Sequence, residues 1–201
     1  MLIITGTGRS GTSYVSAVLS LAGCPCGHET MFTQFYPDNE CPPLPAEASW
    51  LAVPFIKPED KVVHLIRHPL KVIASMAAKL HVKPGDDSYW KFIYKHTGIE
   101  FTTYVDFRAK FFVEWTKRVI ARRDRVIKIE RFGRNEVAML GRMAGIPLRA
   151  YKIHRALQII PKTLNTVPHS DLTWRTLRGA TDAATFAAVQ QIAKDHGYDY
   201  E

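Results

Sequence analysis

The chain is short of several things, and each shortage removes a class of protein. Cysteine is scarce and odd in number: Cys24, Cys26 and Cys41 are all there are. Three cysteines in 201 residues do not read as a disulfide framework, so a reducing cytoplasm is the expected setting. No apolar run approaches the roughly 20 residues that cross a bilayer, and no basic flank leads into a long apolar segment, so neither membrane anchor nor signal peptide is expected. Internal repeats and low-complexity segments are missing. Metal-ligand spacing is missing too: Cys24, Cys26 and His28 follow C-x-C-x-H, which is not a usual zinc pattern. No acidic cluster suggests Mg²⁺, and no metal is expected.

What is there suits one soluble domain over residues 1–201, with 46% hydrophobic and 23% charged residues. The formal net charge is +8, from 27 Lys and Arg against 19 Asp and Glu, which favours an anionic ligand. The basic residues are scattered, with a modest cluster at Lys117, Arg118, Arg122 and Arg123. Nucleic acid is therefore not the expected partner.

The chain is organised around residues 1–23. Leu2 to Thr5 is an apolar, β-branched run, as in a buried strand. It enters Gly6-Thr7-Gly8-Arg9-Ser10-Gly11-Thr12-Ser13, and a mostly apolar helix follows that Gly23 can end. Strand, glycine turn and helix start present backbone N–H groups to a phosphate. Three templates meet here. The pattern G-x-x-x-x-G-K-[ST] fits Gly6, Gly11 and Ser13 but has Thr12 in place of the lysine that a nucleotide kinase or NTPase sets on the transferring phosphate. The dinucleotide pattern G-x-G-x-x-G fits Gly6, Gly8 and Gly11, with Glu29 about where a ribose-binding acid belongs. Residues 24–28, with a Pro, a Gly and no β-branched residue, make a poor second strand for it. The third reading puts the cation inside the loop, at Arg9, where a guanidinium can clamp a sulfonate or phosphate.

Arg9-Ser10-Gly11-Thr12-Ser13 resembles the 5′-phosphosulfate loop of sulfotransferases that use 3′-phosphoadenylyl sulfate (PAPS). The resemblance implies an α/β fold, a parallel sheet flanked by helices of the P-loop type, and PAPS as co-substrate. It implies that Gly8, Arg9, Ser10, Gly11, Thr12 and Ser13 hold the 5′ end of the nucleotide. In that family a strand-end arginine and a serine eight residues on hold the 3′-phosphate. Arg67 and Ser75 have that spacing, and Lys79 matches a further cation found in tyrosylprotein sulfotransferases. Lys79 follows Ser75 by four, on the same helical face. Cys26-Gly27-His28-Glu29-Thr30 is similar to the C-G-E-E-T stretch of the tyrosylprotein enzymes, so Glu29 is the first candidate for the base that takes the acceptor proton. His28 is the second, because a histidine can accept a proton near neutral pH. Lys162-Thr163-Leu164-Asn165, Leu172-Thr173-Trp174 and Gly197-Tyr198-Asp199 resemble the family tail, with Lys162 as a nucleotide contact and a covering loop at about 160–175. Thr173 stands where the family has a lysine, whose charge Arg175 or Arg178 could supply.

The remaining pattern places strands at 61–67 and 125–130 and a loop-rich insertion with short helical pieces at 24–60, with 160–173 irregular. Helices are expected at 69–80, 88–96, 103–122, 134–144, 149–158 and from Thr181-Asp182 through Lys194. Tyr89, Trp90, Tyr94, Phe112 and Trp115 read as packing rather than a binding platform. The expected function is sulfuryl transfer to a hydroxyl acceptor. A nucleotide kinase or NTPase and a non-catalytic nucleotide- or nucleic-acid-binding module are the alternatives.

Overall fold

A computed structural model describes residues 1–32, 44–79, 88–166, 168 and 170–200, with only the backbone of Ala78, Lys79 and Ser88. Cys41, Leu80, the expected loop after it and the Lys79 side chain lie outside the described residues. The fold is α/β. Among the described residues five parallel strands, β1 (Leu2–Thr5), β2 (Cys26–Gly27), β3 (Ala46–Ala48), β4 (Lys61–Ile66) and β5 (Arg125–Lys128), lie in the order β2-β3-β1-β4-β5. The helices are α1 (Thr12–Ala22), α2 (Pro69–Lys79), α3 (Ser88–Thr97), α4 (Tyr104–Ile120), α5 (Arg134–Met143), α6 (Ala150–Ile159), α7 (Trp174–Ala180) and α8 (Ala183–Asp195).

The chain forms two compact units. The first holds Met1–Gly6, Ser10–Ile66 and Val119–Thr166. Its centre is β1, whose four residues are all buried, as a strand with neighbours on both edges requires. Leu2, Ile4, Val63 and Leu65 pack with Val15, Val18 and Leu19 of α1 and with Val137, Leu140 and Ile153 of α5 and α6. Asp124 Oδ2 accepts the Val62 N–H at 2.6 Å and so fixes where β5 begins beside β4.

The second unit holds Thr7–Arg9, Arg67–Arg118 and Val167–Glu201. It is helical and its core is aromatic: Trp90 and Phe107 have ring centroids 4.9 Å apart, Phe111 and Trp115 5.0 Å. Phe112 and Trp115 are buried, while Tyr94 is half exposed and stacks on Trp90. Lys110 bridges Asp106 at 2.9 Å and Asp182 at 3.2 Å, joining α4 to the start of α8. Asp182 also caps α8 by accepting the Thr185 N–H.

Four local expectations are corrected. Residues 26–27, set aside above as a poor strand, form β2 at the sheet edge. The 24–60 stretch, expected as loop with short helical pieces, has such a piece in the 3₁₀ helix Trp50–Phe55, but it also contains the strand β3. Ala and Glu are weak strand formers, so Ala46-Glu47-Ala48 carries no local signal; pairing with β1 and β2 makes it a strand. The third expected strand stops at Lys128, and Ile129–Arg131 turn into a 3₁₀ helix. Residues after 173, read only as tail, form α7, because the Thr173 hydroxyl accepts the Thr176 N–H as a cap.

The order of strands also bears on the dinucleotide template. The strand after α1 does not lie beside β1, whose neighbours are β3 and β4. Glu29 therefore does not end a strand adjacent to β1, where a ribose-binding acid would sit.

Candidate functional site

The chain leaves the carboxyl end of β1 and enters α1 through the glycine loop, of which Gly6 and the residues from Ser10 on belong to the first unit. A Cβ on Gly6 would meet Leu65 O at 2.2 Å and Ser10 Oγ at 2.8 Å, so only glycine lets the loop lie this close to β4. Gly11, at φ 105°, is the residue before α1 and takes the left-handed conformation that glycine tolerates. No side chain caps α1 and no acid stands in its first turn. The first amides of a helix have no partner inside it, so this end suits an anion. Ser10 and Thr12 are buried at the loop, and the Ser10 Oγ has no hydrogen-bond partner among the described residues.

The second unit contains Arg9, Arg67 and Ser75. Arg9 Nε donates to Ser75 Oγ at 3.0 Å, across 66 positions of sequence. Arg67 Nη1 reaches the Arg9 carbonyl at 3.5 Å. Arg67 follows β4 directly, and Ser75 lies on α2, 2% exposed. The Arg9 guanidinium is pushed below its ordinary pKa, first by burial and then by the charge of Arg67. Among the described residues Arg67 forms no ion pair. Two half-buried guanidinium groups that repel one another, beside a buried hydroxyl, make a cradle for a multiply charged anion. Gly8 is buried beside Arg9 in the chain.

His28 follows β2 in the first unit. Its Nδ1 is 2.8 Å from the carbonyl of Ala48 on β3, which can only accept, so Nδ1 carries the hydrogen. In the neutral ring Nε2 is then the acceptor, and Ser13 Oγ donates to it at 2.6 Å. Asn165 Nδ2 donates to the same Ser13 Oγ at 3.1 Å. The Glu29 carboxylate is 4.0 Å from His28 Nε2. A hydroxyl, an imidazole of fixed tautomer and a carbonyl in series can receive and hold a proton.

Backbone strain marks the same loops. Among the described residues three non-glycine residues have positive φ: Arg9 at 73°, Glu29 at 55° and Asn165 at 60°. Such residues are uncommon and gather where a site must hold a shape against local preference.

The tail residues divide. In the second unit His68, next to Arg67, meets Tyr198 at 5.3 Å and Trp174 at 6.3 Å between ring centroids. Two of the tail motifs thus pack against His68. Arg178 lies over the Phe186 ring at 4.8 Å. Lys162, in the first unit, is exposed on a turn in which Leu164 N–H donates to Pro161 O. The structure therefore brings together Arg9, Arg67 and Ser75 in one unit, and Ser13, His28 and Glu29 in the other. It gives Lys162 no partner among the described residues.

Neither Asn165 nor Glu47 stands out as a site residue in the sequence. Asn165 belongs to a tail motif, and its contact with Ser13 is a tertiary fact. Glu47 is 0% exposed on β3, and its Oε1 accepts the Thr30 N–H at 2.8 Å and the Met31 N–H at 3.4 Å. Its one sequence signal is an acid between two alanines just ahead of an apolar run. Burial, the largest influence, raises its carboxyl pKa. Among the described residues no group of three or more His, Cys, Asp or Glu could hold a metal ion. No family model matches the chain, and no curated protein matches it.

Proposed function

We propose that this protein is a sulfotransferase of the P-loop-related type that moves a sulfuryl group from PAPS to a hydroxyl acceptor. The observation that carries the proposal is the Arg9–Ser75 hydrogen bond with Arg67 beside it. Three residues singled out by two separate motifs, 66 positions apart, meet as one cationic group.

Arg9 supplies charge and directed N–H donors to the 5′-phosphosulfate, and Arg67 and Ser75 hold the 3′-phosphate, with the Ser75 hydroxyl also accepting from Arg9 Nε. The loop amides from Ser10 to Ser13 add donors at the start of α1. Lys79 and Lys162 are proposed as further nucleotide contacts. The base, Glu29 or His28, takes the acceptor's O–H proton. The acceptor oxygen then forms its bond to sulfur as the bond from sulfur to the 5′-phosphate oxygen breaks. Adenosine 3′,5′-bisphosphate leaves with the electron pair, and cations beside the leaving phosphate stabilise the charge that develops there. The proton remains on the base until solvent removes it. The reaction as written needs no metal ion.

Calorimetry on the full chain with adenosine 3′,5′-bisphosphate, ATP and NAD tests the reading. Tighter binding of the bisphosphate than of ATP supports it. Magnesium-dependent ATP turnover, or no binding of the bisphosphate, removes it.

A further inference from the structure

Resting on the proposed reaction, we infer that Glu47 is the positioning residue of the His28–Glu29 turn. Two consecutive residues of β3 hold that turn: the Glu47 side chain takes the amides of Thr30 and Met31, and the Ala48 carbonyl takes the His28 Nδ1–H. β3 is itself fixed to β1, with Ile3 opposite Glu47 and Ile4 opposite Ala48, and Ser49 N–H donates to Ile4 O at 3.1 Å. The direction of both candidate bases is thereby referred to the central strand of the sheet.

Three observations point to positioning rather than to filling space. The turn is built around the carboxyl: a Cβ on Gly27 would lie 1.8 Å from Glu47 Oε2 and 2.9 Å from Leu44 Cδ1. Glu29, in the middle of the turn, sits at φ 55°, and the two amides after it are the ones that Glu47 grips. A left-handed non-glycine residue persists only where its surroundings over-determine it. Third, Glu47 is a fully buried acid whose second oxygen has no hydrogen-bond partner among the described residues. Such a group is costly to bury for packing alone. Burial, and then Glu47 itself, push the neighbouring Cys26 thiol up to about 12.

The test uses the full ¹⁵N-labelled chain. In the wild type, long-range ¹H–¹⁵N spectra show His28 with hydrogen on Nδ1. In Glu47→Ala the imidazole shifts move to tautomer-averaged values and the Glu29 HN–Hα coupling leaves its left-handed value. PAPS turnover with 4-nitrophenol and N-acetyltyrosine amide falls in kcat on the order of a hundredfold. KM for PAPS and the affinity for adenosine 3′,5′-bisphosphate stay within about twofold. Glu47→Gln keeps a carbonyl for the amides and restores the spectra and most of kcat. Glu47→Asp draws the acceptor back by one methylene, and serves where Glu47→Ala does not fold. Unchanged His28 and Glu29 signals in folded Glu47→Ala or Glu47→Asp overturn the inference whatever the activity. Wild-type protein that neither binds the bisphosphate nor turns over PAPS removes the sulfotransferase reading, while the spectra still decide the role of Glu47.

Discussion

The cluster around Arg9 and the turn around His28 are built from opposite materials. Arg9, Arg67 and Ser75 work through side-chain charge and hydrogen-bond donors, in groups that burial leaves uncomfortable: the Arg9 guanidinium is held below its ordinary pKa. The His28 turn works through backbone. A carbonyl on β3 sets the ring tautomer, two amides hang from Glu47, and a left-handed glutamate completes the bend. A cationic cradle can be assembled from charges at the right spacing. A proton acceptor has to be aimed, and aiming falls to rigid strands.

The widest gap between the two regions should appear in nucleotide binding. Arg9→Ala removes a guanidinium that holds Ser75 and stands beside Arg67. Affinity for adenosine 3′,5′-bisphosphate should fall by at least about a hundredfold, in line with losing one partner of a desolvated charge contact, and sulfuryl transfer should vanish. Arg9→Lys should recover little, because an ammonium keeps the charge but loses the fork that meets Ser75. Calorimetry that finds Arg9→Ala binding like the wild type breaks the comparison at its first half.

The second half is tested by variants that spare binding. His28→Ala and Glu29→Gln should each leave the bisphosphate affinity within about twofold. Loss of the general base should lower turnover by about 10²–10⁴-fold. The two variants separate the candidates: full activity in Glu29→Gln removes Glu29 from the role, and full activity in His28→Ala removes His28. If both retain full activity, the turn has no part in proton transfer.

The two regions also differed in how far the sequence disclosed them. Arg9, Arg67 and Ser75 were legible through resemblance: Arg9 sits in a loop similar to the 5′-phosphosulfate loop, and Arg67 and Ser75 have the spacing of the 3′-phosphate motif. These signals are local, and so are those for β1, β4 and most helices. Glu47 was hidden because Ala46-Glu47-Ala48 has no strand preference of its own; its position comes from pairing with β1. The Asn165 contact with Ser13 spans 152 positions, and nothing in the composition around either residue announces it. The short helix α7 was missed for a related reason: its cap at Thr173 fell inside a segment matched only as a motif.

A smaller effect sharpens the cationic side. Ser75→Ala removes the hydroxyl that accepts from Arg9 Nε. A hydrogen bond to a charged group contributes about 1.5–3 kcal/mol, and Arg9 is only half buried, so the lower end applies. Bisphosphate affinity should weaken by about tenfold, well short of Arg9→Ala. A loss equal to that of Arg9→Ala would mean that the serine carries as much of the ligand as the guanidinium does.

The smallest expected effect is on stability, and it belongs to Glu47. Burial raises its carboxyl pKa above the ordinary 4.5, and Glu29 acts in the same direction; the Thr30 and Met31 amides and His28 act against them. The folded protein therefore holds this proton more tightly than the unfolded chain does. Ionisation of Glu47 costs stability, which is lost as pH rises from about 4.5 through the folded-state value and is constant beyond it. Glu47→Gln has no proton to lose at this position. Its melting temperature relative to the wild type should rise across that window and level off above it, while other titrating groups, common to both chains, cancel. A difference that stays flat from pH 4 to pH 8 would place the carboxyl in a more polar setting than its burial and partners indicate, and would return the turn to the same class as the Arg9 cluster, held by charge rather than by backbone.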